Sequence, residues 1–455
     1  MPAHVISSEQ QRDRMLYTPI PKLIVSLSVP TLASQLISVF YNTADTYFVS
    51  KLSTSASAAV GVVFSLMSII QAFGFGIGMG CGSIISRSLG NRDNERANRT
   101  ASSAFFFAAA VGLLICIAGL CTLRPLMRLL GSTETILPYS ESYARIILLA
   151  APIMCASFVL SNTLRSEGEA MLSMYGICTG GLLNVALDPL FIFVFDMGIA
   201  GAALATALSQ LVSFCLLAWL FLHGRSIVRV HLRCVSKRPG LYGEILLVGF
   251  PTICRQGFAS LSSALLNNAA AVYSDAAVAA VTISNKVYLL VRSMIIGIGQ
   301  GFQPVAGYNY GAGDRERVHE SIHKGLLIHL TTSALFSVII FSGRYPMMHL
   351  FVGDDPTVIA IGAQVTALIA PCYVLFTLVE VLSATMRGVG DAVVPAAITM
   401  VFTCIVRLIY LWGYAFSHNS NLTIAVIYPI SWVLTSIAFL LYYKSRKWMP
   451  KGFHF

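Results

Sequence analysis

Long apolar segments recur along the whole chain, and they constrain its fold more than any other feature. A helix of about 20 apolar residues crosses the ~30 Å hydrocarbon core of a bilayer, so each segment is a candidate membrane span. Only 11% of the 455 residues are charged, whereas soluble proteins carry roughly 25%. The sequence therefore predicts an all-α polytopic membrane protein. Twelve spans are predicted, at residues 23–50, 57–85, 100–122, 141–163, 172–195, 199–223, 244–272, 277–305, 321–343, 359–385, 393–416 and 424–443.

Basic residues in the loops predict the orientation of these helices. Twenty-one lysines and arginines fall on one side of the predicted membrane, among them Arg165 and Arg387 in the loops after the fourth and tenth spans. Only five fall on the other side: Lys51, Arg124, Arg128, Arg145 and Arg344. Cytoplasmic loops carry the excess of positive charge, so both termini are predicted to be cytoplasmic. This distribution also accounts for the net charge of +10, and no nucleic-acid partner is expected.

An internal repeat predicts the architecture. A shift of 221 residues places Pro30 on Pro251 and aligns the glycine series at 76, 78 and 80 with that at 297, 299 and 301. A shift of 222 aligns 164–169 with 386–391. Since each half has six spans, the halves enter the membrane in the same direction, as parallel repeats with a binding cavity between them. We predict an N-lobe at 1–225 with helices 1–6, a cytoplasmic linker at 226–243, and a C-lobe at 244–455 with helices 7–12.

Charged residues at membrane depth are costly and mark candidate functional sites. The N-terminal half has two such acids, Asp45 and Asp188, and no intramembrane base. Asn184 lies four residues before Asp188, so the two share a helix face, and Pro189 loosens the helix there. Two carboxylates, an amide oxygen and a hydroxyl suit sodium or a proton. The alternative is that Asp188 only bonds neighbouring helices.

The C-terminal half has the opposite charge balance. Its predicted spans contain one acid, Glu380, and four bases: Arg255, Lys286, Arg292 and Arg407. One interpretation is a structural network in which the bases pair with Glu380 and with helix C-terminal carbonyls. The other is contact with anionic parts of a substrate.

Motifs of catalysis are not found in the sequence. There is no P-loop, HExxH or nucleophile elbow, so we predict that the chain is not an enzyme and has no cofactor beyond a coupling ion. The glycine series at 74–82 and 297–301 follow apolar helix rather than a strand. They therefore favour close helix packing over nucleotide binding.

Several motifs together resemble a known family. They are Pro30 with Tyr41-Asn42-Thr43-Ala44-Asp45, Leu89-Gly90-Asn91, Asn184-x3-Asp188-Pro189, Pro251-x3-Arg255-Gln256, and the stretch from Gln300 to Gly311. With the twofold repeat, they resemble the multidrug and toxic compound extrusion (MATE) family, in its bacterial MepA-like branch, over nearly the whole chain.

The resemblance implies a V-shaped pair of six-helix bundles in a bacterial cell membrane. Such a protein exports cationic, amphipathic drugs by exchange with sodium or protons. The family's N-lobe cation site maps onto Asp45, Asn184, Asp188 and Thr206. Drug-like molecules and the lipid bilayer are the expected partners, and a monomer is expected.

One departure from the family pattern argues against a second cation site in the C-lobe. Some relatives carry acids in helices 7 and 10, but helix 7 here has Arg255 with Gln256. A flippase, or an exporter of a lipid-linked or anionic metabolite, is the alternative function.

Overall fold

The protein is a bundle of helices arranged as two six-helix lobes. The computed structural model describes residues 7–271, 275–352, 356–413 and 421–449, and it contains no strand within those ranges. The helices of the first half are α1 (Ser8–Tyr17), α2 (Ile20–Ser50), α3 (Thr54–Gly90), α4 (Asn94–Cys121), α5 (Leu123–Leu129), α6 (Leu137–Ser166), α7 (Ala170–Pro189) and α8 (Gly198–Leu222). Those of the second half are α9 (Pro239–Ala271), α10 (Asp275–Gly311), α11 (Arg315–Ser342), α12 (Arg344–Val352), α13 (Pro356–Ile369), α14 (Tyr373–Val389), α15 (Val393–Thr399), α16 (Val406–Gly413) and α17 (Asn421–Ser445).

The twelve crossings of the membrane follow directly from these ranges. The first six are α2, α3, α4, α6, α7 and α8, and the next three are α9, α10 and α11. The tenth consists of α13 and α14, the eleventh of α15 and α16, and the twelfth is α17. Within the described residues, nine helical segments are by themselves long and apolar enough to span a bilayer. The predicted fold is confirmed, although α9 begins at Pro239, inside the segment predicted as a linker.

The internal repeat is visible in how the helices begin. Asp93 precedes α4, and its carboxylate accepts a hydrogen bond of 2.9 Å from the Arg96 amide. Asp314 precedes α11 in the second half and accepts the same bond from the Arg317 amide, also at 2.9 Å. Each acid satisfies an otherwise unpaired amide of the first turn and lies at the positive end of the helix dipole.

Three crossings are interrupted, and two of the breaks follow from proline. Pro189 ends the α-helical part of α7, and residues Leu190–Val194 continue as π-helix. The 3₁₀ turn at Ala370–Cys372, which contains Pro371, separates α13 from α14. A second π-helical segment, Met400–Ile405, joins α15 to α16. Proline removes a backbone donor, and π-helical turns occur frequently at functional sites.

The two lobes are in contact along α2 with α10 and along α3 with α9. Glycine permits both contacts: a Cβ atom at Gly301 of α10 would overlap the backbone of Ser28 in α2, and one at Gly80 of α3 would overlap the carbonyl of Ile245 in α9. Backbones this close are typical of membrane helices that pack through small residues. The contacts lie toward the end of the bundle where α3 and α10 terminate. The packing role predicted for the glycine series is what the structure shows.

The first helix was not anticipated from the sequence. Ser7 and Gln10 form a capping box at the start of α1, which fixes the first turn of a polar helix. Gln11 is buried and donates a 3.0 Å hydrogen bond to the carbonyl of Glu167, and Arg12 donates one to the carbonyl of Gly90. The helix therefore packs over the same end of the bundle at which the lobes meet.

Candidate functional site

Three helices of the first lobe bring a group of polar side chains together inside the bundle. Asp45 comes from α2, Asn184 and Asp188 from α7, and Thr206 from α8. The Asn184 amide lies 3.3 Å from Asp188 Oδ1 and 3.3 Å from Thr206 Oγ1. Asp45 is close enough to Asp188 to interact with it electrostatically. The structure therefore places all four residues of the predicted cation site in one cluster.

Three oxygen atoms of this cluster are buried without a hydrogen bond to any described residue: Asp45 Oδ1, Asn184 Oδ1 and Asp188 Oδ2. Neither acid forms an ion pair with any residue that the structure describes. A buried oxygen without a partner is costly, and a buried unpaired carboxylate costs more. Oxygen atoms of carboxylates and amides are the ligands that hard cations prefer. The donor set therefore fits sodium or a proton.

Sequence reasoning missed one member of the cluster, Tyr143 of α6. Its side chain is fully buried, its hydroxyl donates a 3.4 Å hydrogen bond to Asp45 Oδ2, and it also interacts with Thr206. A tyrosine near the end of a span is typical of the membrane interface, so the sequence pattern alone favours a lipid-facing position. The Tyr143 hydroxyl instead contacts both sides of the acid cluster.

A cleft of about 260 Å³ lies between the lobes, beside the acid cluster. The first lobe contributes Tyr41 and Asn42 of α2 and Gln210 of α8, and the second contributes Gln256 of α9 and Arg292 of α10. Arg292 donates a 3.4 Å hydrogen bond to Gln256. Since α2 and α8 also carry Asp45 and Thr206, the same helices line the cleft and form the cluster.

A family model described as MatE matches the chain twice, at residues 30–190 and 251–412. The second match begins 221 residues after the first, which is the spacing of the internal repeat. The two matches together cover well over half of the chain. The chain belongs to the MatE family. The predicted resemblance is thereby confirmed, and the chain is a member of a family of multi-pass membrane transporters.

Curated and solved MatE relatives cover most of the chain. Multidrug export protein MepA of Staphylococcus saprophyticus is 27% identical over 348 residues, which is 75% of this chain and 77% of the relative. MepA of Staphylococcus aureus is 26% identical, with coverages of 76% and 78%. A MOP superfamily transporter from Pyrococcus furiosus superposes with a TM-score of 0.89 at 27% identity. A multidrug resistance MATE family transporter in an outward-facing conformation gives 0.90 at 26% identity. Each structure covers 95% of this chain and 97% of its own.

Two arginines of this MatE protein do not lie in the loops that the sequence predicts for them. Arg165 and Arg387 were assigned to loops, but they lie in the last turns of α6 and α14 and are buried. Arg165 donates hydrogen bonds to Ser161, Ser173 and Gln300. Arg165 is therefore a buried base at the end of a first-lobe helix and not a loop residue.

The second lobe holds Glu380 differently from the predicted network. Glu380 pairs with Arg387 at 2.8 Å, two turns later on the same helix, and both side chains are buried. The sequence pattern predicts a loop position for Arg387, so the network predicted for Glu380 did not include it. Arg407 donates a 3.1 Å hydrogen bond to Ser431 and lies over the ring of Tyr428. The side chains of Arg255 and Lys286 lie outside the described part of the structure.

Proposed function

We propose that this protein is a secondary active exporter that exchanges cationic, amphipathic small molecules for sodium ions or protons. The observation that supports it most is the buried acid cluster beside the cleft between the lobes. Two relatives that are 27% and 26% identical to this chain are named multidrug export proteins. In this function the exported molecule binds in the cleft, and the coupling ion binds in the acid cluster.

The acid cluster supplies a reason for an ion to bind. Two carboxylates in a low-dielectric interior repel each other and lose hydration, and neither has a basic partner among the described residues. A proton or a sodium ion removes much of that cost. Tyr143, Thr206 and Asn184 surround the acids with polar groups, so the ion needs little rearrangement to find ligands.

Alternating access needs two states that bind the ion with different affinity. A ligand with equal affinity for both states does not shift the equilibrium between them. The π-helical segment Leu190–Val194 follows Asp188 and Pro189, and Pro30 lies in α2 between Ser28 and Thr31, which both bond carbonyls of α10. We propose that these two irregular helices bend between the states. Tyr41 and Asn42 of the cleft are one turn from Asp45, so a movement of α2 reaches both sites.

The direction of opening follows from the predicted topology. The lobes touch near the ends of α3 and α10, which the basic loops place on the cytoplasmic side. Toward the other end of α2, Tyr41 and Asn42 line the open cleft between the lobes. The structure thus corresponds to an outward-open state under this topology.

The alternative is an exporter or flippase of an anionic or lipid-linked metabolite. One observation favours it: both Arg165 and Arg292 line the cleft, and guanidinium groups bind carboxylates and phosphates.

Transport in proteoliposomes tests the proposal. Efflux of ethidium, a fluorescent cation, is measured with a sodium gradient alone, with a pH gradient alone, and with neither. We expect one gradient to drive ethidium against its concentration difference. Equal ethidium movement under all three conditions would overturn the proposal. Movement of a carboxylate dye but not of ethidium would favour the alternative.

A further inference from the structure

The short helix α1 lies outside the twelve membrane crossings, on the end of the bundle at which the two lobes meet. Its ten residues are mostly polar, and an isolated helix of this length is marginal in water. Three of its side chains are nevertheless buried against the bundle: Gln11, Met15 and Leu16. The helix is therefore stabilised by its contacts with the rest of the chain, and the cleft and the acid cluster contain none of its residues.

Four side chains spaced along α1 bond it to the first lobe. The pairs are Ser8 with Asn94, Gln11 with the carbonyl of Glu167, Arg12 with the carbonyl of Gly90, and Arg14 with Glu169, at 3.0 to 3.5 Å. The acceptors lie at the start of α4, at the end of α3 and between α6 and α7. Met15 adds an apolar contact, since a Cβ atom at Gly168 would overlap it. Bonds to three separate segments therefore attach α1 to the first lobe.

The link from α1 to α2 is short and stiff. Only Thr18 and Pro19 separate the two helices, and Thr18 is extended, with φ −65° and ψ 140°. The proline ring fixes its own φ and disfavours helical backbone at the residue before it. The helix α1 therefore does not rotate freely on α2, and a movement of α2 displaces α1 with it.

Two side chains of the second lobe reach α1 or the carbonyl on which it docks. Arg317 of α11 donates a 2.9 Å hydrogen bond to the carbonyl of Thr18, the residue that caps the C-terminus of α1. Tyr308 of α10 donates a 3.2 Å hydrogen bond to the Glu167 carbonyl, the same oxygen that accepts the bond from Gln11. The helices α1 and α10 are also in direct contact. The helix α1 thus bridges the boundary between the lobes.

The two sets of bonds respond differently when the lobes separate at this end. The four bonds of α1 to the first lobe join segments that move together, so separation leaves them intact. The bonds of Arg317 and Tyr308 join the two lobes, so separation breaks both. The Arg317 bond is the stronger of the two, because its donor is charged, is partly buried and lies at the negative end of the α1 dipole. The hold of the second lobe on α1 therefore depends mainly on Arg317.

We propose that α1 is a latch carried by the first lobe, which holds the lobes together at this end and must part from Arg317 and Tyr308 before the lobes open there. After it has parted from the second lobe, α1 keeps its bonds to the first lobe and moves with it. The latch goes beyond the exporter proposed above, because it acts on the separation of the lobes, whichever cargo binds in the cleft and whichever ion binds in the acid cluster.

Distances between spin labels test the latch, measured by double electron–electron resonance on the full-length protein in nanodiscs. The labels are attached to cysteines that replace Asp13 of α1, Arg229, which bonds α4, and Glu316 of α11, all exposed, after the native cysteines have been replaced. In Arg317→Met, long Asp13–Glu316 and Arg229–Glu316 distances should gain about tenfold in population, as loss of a hydrogen bond from a charged group predicts. The Asp13–Arg229 distance should equal that of the wild type.

Deletion of residues 2–18 removes the latch by a second route, and it should raise the population of long Arg229–Glu316 distances by about tenfold or more. Arg317 keeps its 3.1 Å bond to Asn309 in that variant. An effect that the deletion shares with Arg317→Met therefore comes from α1 and not from repacking of α11. Arg317→Met retains α1, so it decides the question if the deletion variant does not fold.

Tyr308→Phe removes a neutral donor, so we expect a smaller gain of about threefold. Tyr17→Phe is the matched control: Tyr17 ends α1 but is 74% exposed, and its distances should equal those of the wild type.

Wild-type Arg229–Glu316 distances in Arg317→Met or in the folded deletion variant would overturn the proposal. A longer Asp13–Arg229 distance with an unchanged Asp13–Glu316 distance would also overturn it, because α1 would then move with the second lobe. Since neither cargo nor an ion gradient is present, failure of the latch leaves the export proposal untouched, and failure of ethidium efflux leaves the latch standing.

Discussion

Arg165 of α6 donates a hydrogen bond to the side-chain oxygen of Gln300 in α10, which joins the first lobe to the second at a buried position. The same guanidinium group donates hydrogen bonds to Ser161, one turn earlier on α6, and to Ser173 of α7. The repeat-related arginine, Arg387, bonds Gln303 of α10 at 3.4 Å and also bonds Ser383, one turn earlier on its own helix. Of these two equivalent arginines, Arg165 therefore links the lobes at the end where they meet, and the bonds of Arg387 to Gln303 and Ser383 lie within the second lobe.

We expect Arg165→Met to favour opening of the lobes at this end. A buried hydrogen bond from a charged donor contributes about 1.5–3 kcal/mol, so the open population should rise about tenfold or more. Spin labels at Arg229 and Glu316, both exposed and at the same end of the bundle, report the distance between the lobes. Longer inter-label distances should gain population in the variant.

Arg96→Met is the matched control. Arg96 of α4 pairs with Glu244 of α9 at 2.8 Å, so it also joins the lobes, but both side chains are about half exposed. Exposed ion pairs contribute about 0–1 kcal/mol, and the distances should barely change. If Arg165→Met leaves the distances as they are in the wild type, the buried contact does not hold the lobes together.

The acid cluster predicts the effect of removing its charges. Asp45→Asn or Asp188→Asn should abolish gradient-driven ethidium efflux, because an amide cannot bind a proton and is a weaker sodium ligand. The variants should still insert and fold, since both residues lack an ion pair among the described residues. The measurement is efflux in proteoliposomes at matched protein content.

Asp196→Asn is the control for the acid variants. Asp196 is exposed and adopts a positive φ of 53°, a conformation that asparagine tolerates as well. Its efflux should equal that of the wild type. Wild-type efflux rates in both acid variants would show that the two carboxylates have only a structural role. The coupling site would then have to be sought at Glu380.

Local sequence patterns predicted much of the fold and the acid cluster for a physical reason. Spans are recognisable because every membrane-crossing segment must be apolar over a fixed length. Asp45 and Asp188 stand out because a carboxylate within such a segment is costly. The glycine series identified the surfaces along which α3 and α10 pack. Each of these signals depends on the residue's own segment.

Residues whose role depends on packing between distant segments were missed. Arg165 and Arg387 are near span ends, where an arginine is usually solvated, and only the approach of α10 buries them. The position of Tyr143 in the sequence is typical of an interfacial tyrosine, but the packing of α2 and α8 against it buries its side chain. The repeat did contain one usable signal: Ser161 and Arg165 in α6 have exact counterparts in Ser383 and Arg387 at a shift of 222.

Glu167 predicts a dependence of stability on pH. It lies between α6 and α7, outside the spanning segments, and accepts hydrogen bonds from Ser226 at 2.6 Å and the Ile227 amide at 2.9 Å. Burial raises the pKa of this carboxyl from 4.5 to about 8, against the opposing effect of the hydrogen bonds. Between those values the folded state binds more protons than the unfolded state, so stability falls as pH rises.

Thermal unfolding followed by intrinsic fluorescence from pH 6 to pH 9 measures this effect. One proton contributes a slope of at most about 1.4 kcal/mol per pH unit, and Glu167→Gln should remove its share. Burial also raises the pKa of the neighbouring Glu169, which therefore adds to the slope in both proteins. The contribution of Glu167 is the difference between the wild-type slope and the Glu167→Gln slope. Glu316→Gln, at an exposed position, should retain the wild-type slope. A wild-type slope in Glu167→Gln would show that this carboxyl is not the source.

Two native cysteines test the orientation of the chain. Cys121 is exposed at the end of α4, and Cys234 is half-exposed in the turn Leu232–Cys234, next to Arg233. The excess of basic loops places Cys234 in the cytoplasm and Cys121 outside. In variants that keep only one cysteine, a membrane-impermeant maleimide should label Cys121 in intact cells. It should label Cys234 only after the cells are permeabilised. The opposite pattern would invert the topology, and the cleft would then open toward the cytoplasm, because the lobes touch at the end of the bundle that carries Gly90 and Gly311.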